Sequence, residues 1–157
     1  MIKKIILLVL PLLIFSCGTQ PKMEIMKKIS FQTLAQSTLH GNGQEGIERG
    51  LYVIKNKKEW KNLLEKMNAV NDETSKFEIP PIDFNKEMVL AVFSEVLSSG
   101  GVKIRINRII ETSDSLVVYS LYNTPESNIA IMVMNQPYHI IKLPKIDKPV
   151  QWKVEKK

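Results

Sequence analysis

Cys17 is the residue whose position most strongly indicates a chemical role. It is the single cysteine among 157 residues, and it follows Ser16 at the end of the apolar run Ile5–Phe15. A basic start, a short apolar run and a small residue before a cysteine resemble a bacterial lipobox. We therefore predict cleavage before Cys17 and lipid attachment to its thiol and new amino group. The alternative is an ordinary signal peptide with a chance cysteine near its end. A single cysteine also excludes an intramolecular disulfide framework.

The apolar run before Cys17 has eleven residues, and a membrane-spanning helix needs about twenty. The sequence therefore predicts a lipoprotein signal peptide over residues 1–16, a tether over residues 17–28, and a single domain over residues 29–157. Gly18 differs from the aspartate of an inner-membrane retention signal. We expect a lipid-anchored protein of the cell envelope, at the outer membrane and facing the periplasm.

The two histidines, His40 and His139, are the other candidates for acid–base or metal chemistry. Neither belongs to an H-x-H or H-E-x-x-H arrangement, so metal-ligand spacing is absent. Asp83, Glu87 and Glu95 are side chains of the kind that act as acid and base in hydrolysis. Their spacing in the sequence does not place any two of them close together. We predict no metal, no cofactor and no enzymatic activity, and a hydrolase that uses His139 is one alternative.

The segment Gly41–Gly46 spells G-x-G-x-x-G. In a dinucleotide site these glycines lie between a strand and a helix whose N-terminus faces the pyrophosphate. Here the next element, Leu51–Ile54, is predicted to be a strand. A kinase glycine loop does precede a strand, but the chain contains no Asp-Phe-Gly. We therefore predict a hairpin loop.

The net charge of +6 is concentrated at the two ends of the chain. Between Cys17 and Ile141 there are 14 basic and 14 acidic residues. A nucleic-acid-binding domain needs its basic charge spread over a docking face. The balanced body of the chain therefore argues against nucleic acid as a partner.

The element pattern predicts an α+β domain, with an antiparallel sheet or an incomplete barrel or sandwich and one amphipathic helix packed on it. The helix covers residues 57–68, because apolar residues recur at helical spacing after a capping-box-like Asn56 and Glu59. Tight turns favour antiparallel neighbours. The predicted strands are Lys28–Gln36, Leu51–Ile54, Met88–Phe93, Val102–Glu111, Leu116–Tyr122, Ile129–Met134, Tyr138–Leu143 and Val150–Val154.

Two features of the C-terminal half are candidates for partner binding. Gly100 and Gly101 permit a tight turn, which we predict to be a hairpin. Pro137 cannot donate to a β-ladder, so Pro137 and Tyr138 are predicted at a sheet edge or a bulge. An exposed edge there is able to bind a peptide by strand addition. Burial of Tyr138 in the core is the favoured alternative.

Several segments in this order resemble the C-terminal domain of PrcB-type protease-complex subunits, which are bacterial lipoproteins found with secreted proteases. The resemblance spans roughly residues 48–145 and implies a non-catalytic role, stabilising or assembling an associated protease. The family pattern often has an aromatic residue where this chain has Val102. The segments that carry the resemblance are Pro81–Phe84, Glu87–Phe93, Gly100–Ile104 and Gln136–Pro144, with Tyr52–Ile54 and Glu59–Trp60 upstream.

The sequence thus predicts a lipid-anchored, non-enzymatic envelope protein that binds or stabilises a partner protein, with a secreted protease as one candidate. One alternative is a protease inhibitor that presents the Gly100 turn or the loop Asn123–Asn128. Another is the hydrolase using His139. The predicted contacts are therefore membrane through lipid on Cys17 and a protein partner.

Overall fold

The computed structural model describes residues 26–124 and 132–155, which form two β-sheets and one α-helix. Cys17, the predicted signal peptide and most of the loop Asn123–Asn128 lie outside these residues. The helix α1 spans Lys57–Met67, and a 3-10 turn spans Thr74–Lys76. The strands are β1 (Lys27–Lys28), β2 (Gln32–Leu39), β3 (Gly50–Ile54), β4 (Glu87–Phe93), β5 (Leu97–Ser99), β6 (Lys103–Glu111), β7 (Leu116–Asn123), β8 (Met132–Pro144) and β9 (Val150–Glu155).

The strands divide into two sheets that pack on each other as a sandwich. The four-stranded sheet has the order β1-β6-β7-β9, and the five-stranded sheet has the order β2-β8-β4-β3, with β5 paired to β8. The α+β class and the sandwich-like arrangement confirm the predicted fold class at this level. The antiparallel prediction fails at one pair, because β9 runs parallel to β7. The chain makes this possible by passing through β8 in the other sheet before it returns, which supplies the long crossover that a parallel pair needs.

Strand β4 is buried on both of its faces, in keeping with the continuous apolar run from Met88 to Phe93. Alternate side chains point to opposite faces of a strand. Met88, Leu90 and Val92 therefore enter the core between the two sheets, while Val89, Ala91 and Phe93 enter a second core beneath α1. The five-stranded sheet is thus the middle layer of three, with the four-stranded sheet on one side and the helix on the other.

The helix begins where the capping pattern predicted. The backbone N–H of Glu59 donates to Asn56 Oδ1 at 2.9 Å, and Glu59 Oε2 accepts from the backbone N–H of Lys55 at 2.8 Å. The first bond satisfies a donor of the first turn that has no partner within the helix, and the second fixes the residue that precedes the cap. Leu63 and Met67 are buried against the sheet, so the amphipathic stripe is confirmed, one residue shorter than the predicted 57–68.

The structure differs from the local predictions at four places. Residues 129–131 of the predicted strand Ile129–Met134 lie outside the described residues, and its last three residues share one strand with Tyr138–Leu143, because β8 is continuous from Met132 to Pro144. The Gly41–Gly46 loop is not a hairpin, since β2 and β3 lie at opposite edges of their sheet. The short β5 was not predicted. The predicted tether over 17–28 includes β1, which pairs with the end of β6.

No helix in the described part of the chain has the length and apolar character needed to cross a bilayer.

Candidate partner-binding surface

Gly100 and Gly101 lie in a surface turn between β5 and β6. Gly101 has a φ of 88°, a left-handed conformation that a residue with a Cβ adopts only with strain. The turn is not the predicted hairpin, because β5 pairs with β8 whereas β6 pairs with β7. It instead carries the chain from one sheet to the other.

Pro137 and Tyr138 do not lie at a sheet edge, contrary to the prediction, whereas the favoured alternative for Tyr138, burial in the core, is confirmed. Both are buried in β8, which runs between β2 and β4. The Tyr138 ring lies 5.6 Å from that of Phe93, and its hydroxyl donates to Glu73 Oε1 at 2.9 Å. Burial, and then the bond to Glu73, raise the pKa of Tyr138. Because neither side chain reaches the surface, neither residue belongs to the partner-binding surface.

Proline is accommodated in this central strand by a side-chain amide. The backbone N–H of Ser94, just past the end of β4, donates to the Pro137 carbonyl at 2.9 Å. In a hydrogen-bonded antiparallel pair, the opposite carbonyl would accept from residue 137 in return. Here Ser94 O accepts from Gln136 Nε2 at 2.9 Å, and the same amide reaches Ile47 O at 2.8 Å. The side chain of Gln136 thus supplies the hydrogen-bond donor that the nitrogen of Pro137 lacks.

Before Gln136, β8 extends past both of its long neighbours. Its pairing with β2 begins at Gln136 and its pairing with β4 at Tyr138. In the described chain, Met132–Asn135 pair with β5 alone, with Leu97 opposite Asn135 and Ser99 opposite Met132. We call these two segments, Leu97–Ser99 and Met132–Asn135, the β5–β8 extension.

Asn135 holds the extension together from inside. Its side chain is buried, and Nδ2 donates to Ser99 O at 2.9 Å and to Val133 O at 2.8 Å. Buried amides that bond to backbone carbonyls fix local geometry, because breaking such a bond leaves polar groups without a partner. The extension is therefore an organised element.

The tip of the extension is apolar and exposed. Met132 is 90% exposed, Met134 44% and Val133 37%. Consecutive apolar side chains in water are the kind of surface that marks protein contacts, and methionine adapts to varied partner shapes. We call Met132–Met134 the apolar tip. Because Ser99 lies opposite Met132, the tip and the Gly100 turn adjoin each other.

The chain that enters the extension is fixed at its base by a carboxylate. Glu95 Oε2 accepts from the Tyr122 hydroxyl at 3.0 Å and lies 3.2 Å from Arg49 Nε. The backbone N–H of Glu95 itself, then Tyr122 and Arg49, lower the pKa of this carboxyl. Burial, with Glu95 beside it, raises the pKa of Tyr122 to about 12. These contacts tie the β4–β5 connection to the end of β7.

His139 occupies a structural position between the two sheets. Its Nδ1 accepts the backbone N–H of Ile106 at 2.9 Å, and its Nε2 lies 2.9 Å from Thr33 Oγ1. Gln36, opposite His139 in the β2–β8 ladder, donates to Ile104 O at 3.0 Å. Together these side chains join β6 to the five-stranded sheet. Both ring nitrogens are engaged and the side chain is buried, so this geometry does not support the hydrolase alternative.

The other candidate residues do not assemble into a catalytic group. Glu87 lies at the opposite end of β4 from Glu95 and pairs with Lys142 at 2.8 Å. The backbone N–H of Asp83 donates to Glu87 at 3.1 Å. Within residues 26–124 and 132–155, no three His, Cys, Asp or Glu side chains are grouped to hold a metal ion.

The Gly41–Gly46 loop also lacks the features of a phosphate site. The buried carboxylate of Glu45 accepts the Gly41 N–H at 2.8 Å. A phosphate-binding loop keeps such amides free for an anion, whereas here the Gly41 amide is already bonded to the Glu45 side chain. The glycine pattern therefore serves the connection between the two edges of the sheet.

Sequence reasoning found the Gly100 turn but missed the apolar tip and Asn135. The run Ile129–Met134 reads as an ordinary buried strand, because its composition is apolar throughout. The available signal was the polar pair Asn135-Gln136 directly after it. Those residues mark the point where β8 passes from the extension into the sheet.

Comparison with known proteins gives one match. Residues 88–144 match the family model described as PrcB C-terminal. No match is found among curated proteins or among solved structures. The matched segment begins in β4 and ends with β8, so it includes the extension, the Gly100 turn and His139. The upstream strand β3 and helix α1, which the resemblance had included, lie before it. Over residues 88–144, about a third of its length, the chain is therefore similar to the PrcB C-terminal family.

Proposed function

We propose that the protein is a lipid-anchored, non-enzymatic envelope protein that binds and stabilises a partner protein through the β5–β8 extension. The observation that carries this proposal is the apolar tip, Met132–Met134, on an extension organised by Asn135. A partner that covers the tip removes its apolar surface from water, which favours association.

A secreted protease is the first candidate partner, because the PrcB-type resemblance implies that association. The proposed anchor is lipid on Cys17, which holds the domain at the outer membrane on its periplasmic side. Several acyl chains on one residue give stable attachment, since a single chain binds only marginally. In this proposal the lipid anchor fixes where the domain lies, and the β5–β8 extension contacts the partner protein.

The proposal is tested by in-cell photocrosslinking of the full chain with a photoreactive residue at Met132. A matched probe at Val70, which is 42% exposed just after α1, is the control. We expect one envelope protein to crosslink to the probe at Met132. Native pull-down should recover that protein in a molar amount equal to that of this chain. Recovery of the chain alone, or equal crosslinking from both positions, would contradict the proposed contact.

Charge substitutions in the apolar tip test whether the partner contact is lost when the tip is no longer apolar. Met132→Lys with Met134→Lys should abolish recovery of the crosslinked partner, whereas Val70→Lys should not. If the partner is a protease, its yield should rise with the intact protein at unchanged turnover per molecule. A stoichiometric fall in turnover would instead identify an inhibitor. A Cys17→Ala chain, processed in parallel, shows whether recovery depends on the anchor.

A further inference from the structure

The outer face of the four-stranded sheet is basic. Ile104, Ile106 and Ile109 of β6 lie in the core between the sheets. Because the strand has a register shift between Ile106 and Arg108, the outward side carries Lys103, Arg105 and Arg108. On β9, Trp152 packs against the same core, and Lys153 points outward. The outward positions of β6, β7 and β9 carry these four cations and one carboxylate, Glu155.

The centre of this face is a packed cluster around an aromatic ring. The guanidinium carbon of Arg108 lies 3.9 Å from the ring centroid of Tyr119, and Lys153 Nζ lies 6.0 Å from it. Glu155 forms an ion pair with Arg108 and accepts from Asn107 Nδ2. This arrangement combines cationic groups with an amphipathic ring on one side of the molecule.

The N-terminal end of the described chain enters the fold beside this face. β1 pairs with the end of β6, with Lys28 opposite Ile110. Cys17 precedes Lys27 by ten residues, which span at most about 35 Å when fully extended. A lipid on Cys17 would therefore keep a bilayer within that distance of this edge of the sheet.

We propose that the outer face of the four-stranded sheet docks on an anionic phospholipid surface, with Arg105, Arg108 and Lys153 at the headgroup phosphates. This inference rests on the lipid attachment in the proposed function. Basic side chains near an anionic leaflet are attracted to it over roughly one Debye length, about 8–10 Å at moderate salt. Tyrosine suits the interface because one end of its ring is apolar and the other polar. Docking turns α1, on the far side of the molecule, away from the membrane.

Fluorescence quenching on vesicles tests which face meets the membrane. The full chain is purified with its native lipid and reconstituted into vesicles that contain a nitroxide-headgroup lipid. Single cysteines for a fluorophore are placed by Gln151→Cys on the basic face and by Asn62→Cys on the exposed side of α1. In phosphatidylethanolamine–phosphatidylglycerol vesicles, we expect the probe at 151 to be quenched at least about five-fold more than the probe at 62. Equal quenching would overturn the proposal.

The electrostatic cause is tested separately. The difference between the two probes should vanish in phosphatidylcholine vesicles and in 1 M salt, where the Debye length falls to about 3 Å. Persistence under both conditions would overturn the charge-based docking. The mass of the purified chain tells this outcome apart from failure of the anchor. An unlipidated Cys17 contradicts the anchor and the docking together, whereas a lipidated chain with equal quenching contradicts the docking alone.

Matched charge variants assign the effect to particular residues. Arg105→Gln, Arg108→Gln and Lys153→Gln together should abolish the difference between the probes. The matched variant removes the same charge from the opposite side of the molecule by Lys57→Gln, Lys58→Gln and Lys61→Gln, and it should leave the difference intact. Equal loss in both variants would show that net charge is responsible and would overturn the assignment. Should the triple variant fail to fold, Arg105→Gln with Lys153→Gln leaves the Arg108–Glu155 pair in place and serves the same test.

Discussion

The protonation state of His139 follows from its hydrogen bonds. Because Nδ1 accepts the Ile106 N–H, the ring proton lies on Nε2, which faces Thr33 Oγ1. Burial, and then the positive charge of Arg105, lower the pKa of His139 from 6.5 to about 4. Protonation would set a second N–H against that of Ile106. His139 therefore joins the two sheets in its neutral form.

This predicts a loss of stability in mild acid. The unfolded chain takes up a proton on His139 near pH 6.5, whereas the folded chain does so near pH 4. Stability due to this group is present above pH 6.5 and is lost as pH falls toward 4. Between pH 7 and 5 the contribution is about 2 kcal/mol, at 1.36 kcal/mol per pKa unit.

Urea unfolding at pH 7 and at pH 5 measures this effect. His139→Asn is the control, because its amide oxygen can accept a hydrogen bond but does not titrate. We expect the wild type to lose about 2 kcal/mol more than the variant over this range. Ion-paired carboxyls such as Glu87 are common to both proteins, so their contribution cancels. Equal losses would contradict the assigned role.

The hydroxyl of Tyr138 should stabilise the second core. Tyr138→Phe removes the donor to Glu73 Oε1, and it leaves a buried carboxylate oxygen without that bond. We expect a cost of about 1–3 kcal/mol in the free energy of unfolding. Tyr52→Phe is the matched control, because the Tyr52 hydroxyl bonds to Glu48 O at the exposed surface. Urea unfolding that shows equal costs for the two variants would contradict this prediction.

At the scale of elements, the β5–β8 extension should depend on one buried amide. Asn135→Ala removes the bonds to Ser99 O and Val133 O. Amide hydrogen exchange in β5 should then accelerate by at least about ten-fold, because local opening no longer breaks these bonds. Ser98→Ala, at an exposed position in β5, should leave exchange unchanged. Unchanged protection in the asparagine variant would show that the pairing alone holds the extension.

Elements with strong local patterns were predictable from the sequence. Alternation in β6, the continuous apolar run of β4 and the cap at Asn56 each placed an element to within a residue or two. The short β5, Leu97–Ser99, has too few residues to carry a period. Periodicity also does not encode pairing partners, so the parallel position of β9 was not foreseen.

The course of β8 through Pro137 could not be read from local sequence. A proline within an apolar segment ordinarily indicates an edge strand. It is accommodated here because β4 ends at Phe93 and Gln136 supplies the missing donor to Ser94, which are facts of tertiary structure. The same dependence on tertiary structure explains why the sequence revealed only part of the candidate site. The Gly100 turn carries a local signal, whereas exposure of Met132 depends on where the neighbouring strands stop.

At the scale of the whole molecule, the two cores should unfold together. β4 and β8 contribute alternate side chains to both cores, so neither core survives loss of these strands. Trp60 packs beside the core under α1, and Trp152 packs beside the core between the sheets. Trp60→Phe and Trp152→Phe each leave one tryptophan as a reporter. Each variant's fluorescence transition in urea should coincide with its own circular-dichroism transition. Separate transitions would show that the cores are independent.

The pairing of β2 with β8 has a consequence for the timing of folding. Thr33 and His139, which meet in the finished sheet, are 106 residues apart in the chain. Folding rates fall as contacting residues become more distant in sequence, because long loops must close before these contacts form. The first long strand, β2, therefore pairs with β8 only after nearly the entire polypeptide is available. If the chain is exported as proposed, this delay would leave it unfolded while it passes through a narrow translocation channel, because β2 pairs with β8 only when Met132–Pro144 is available.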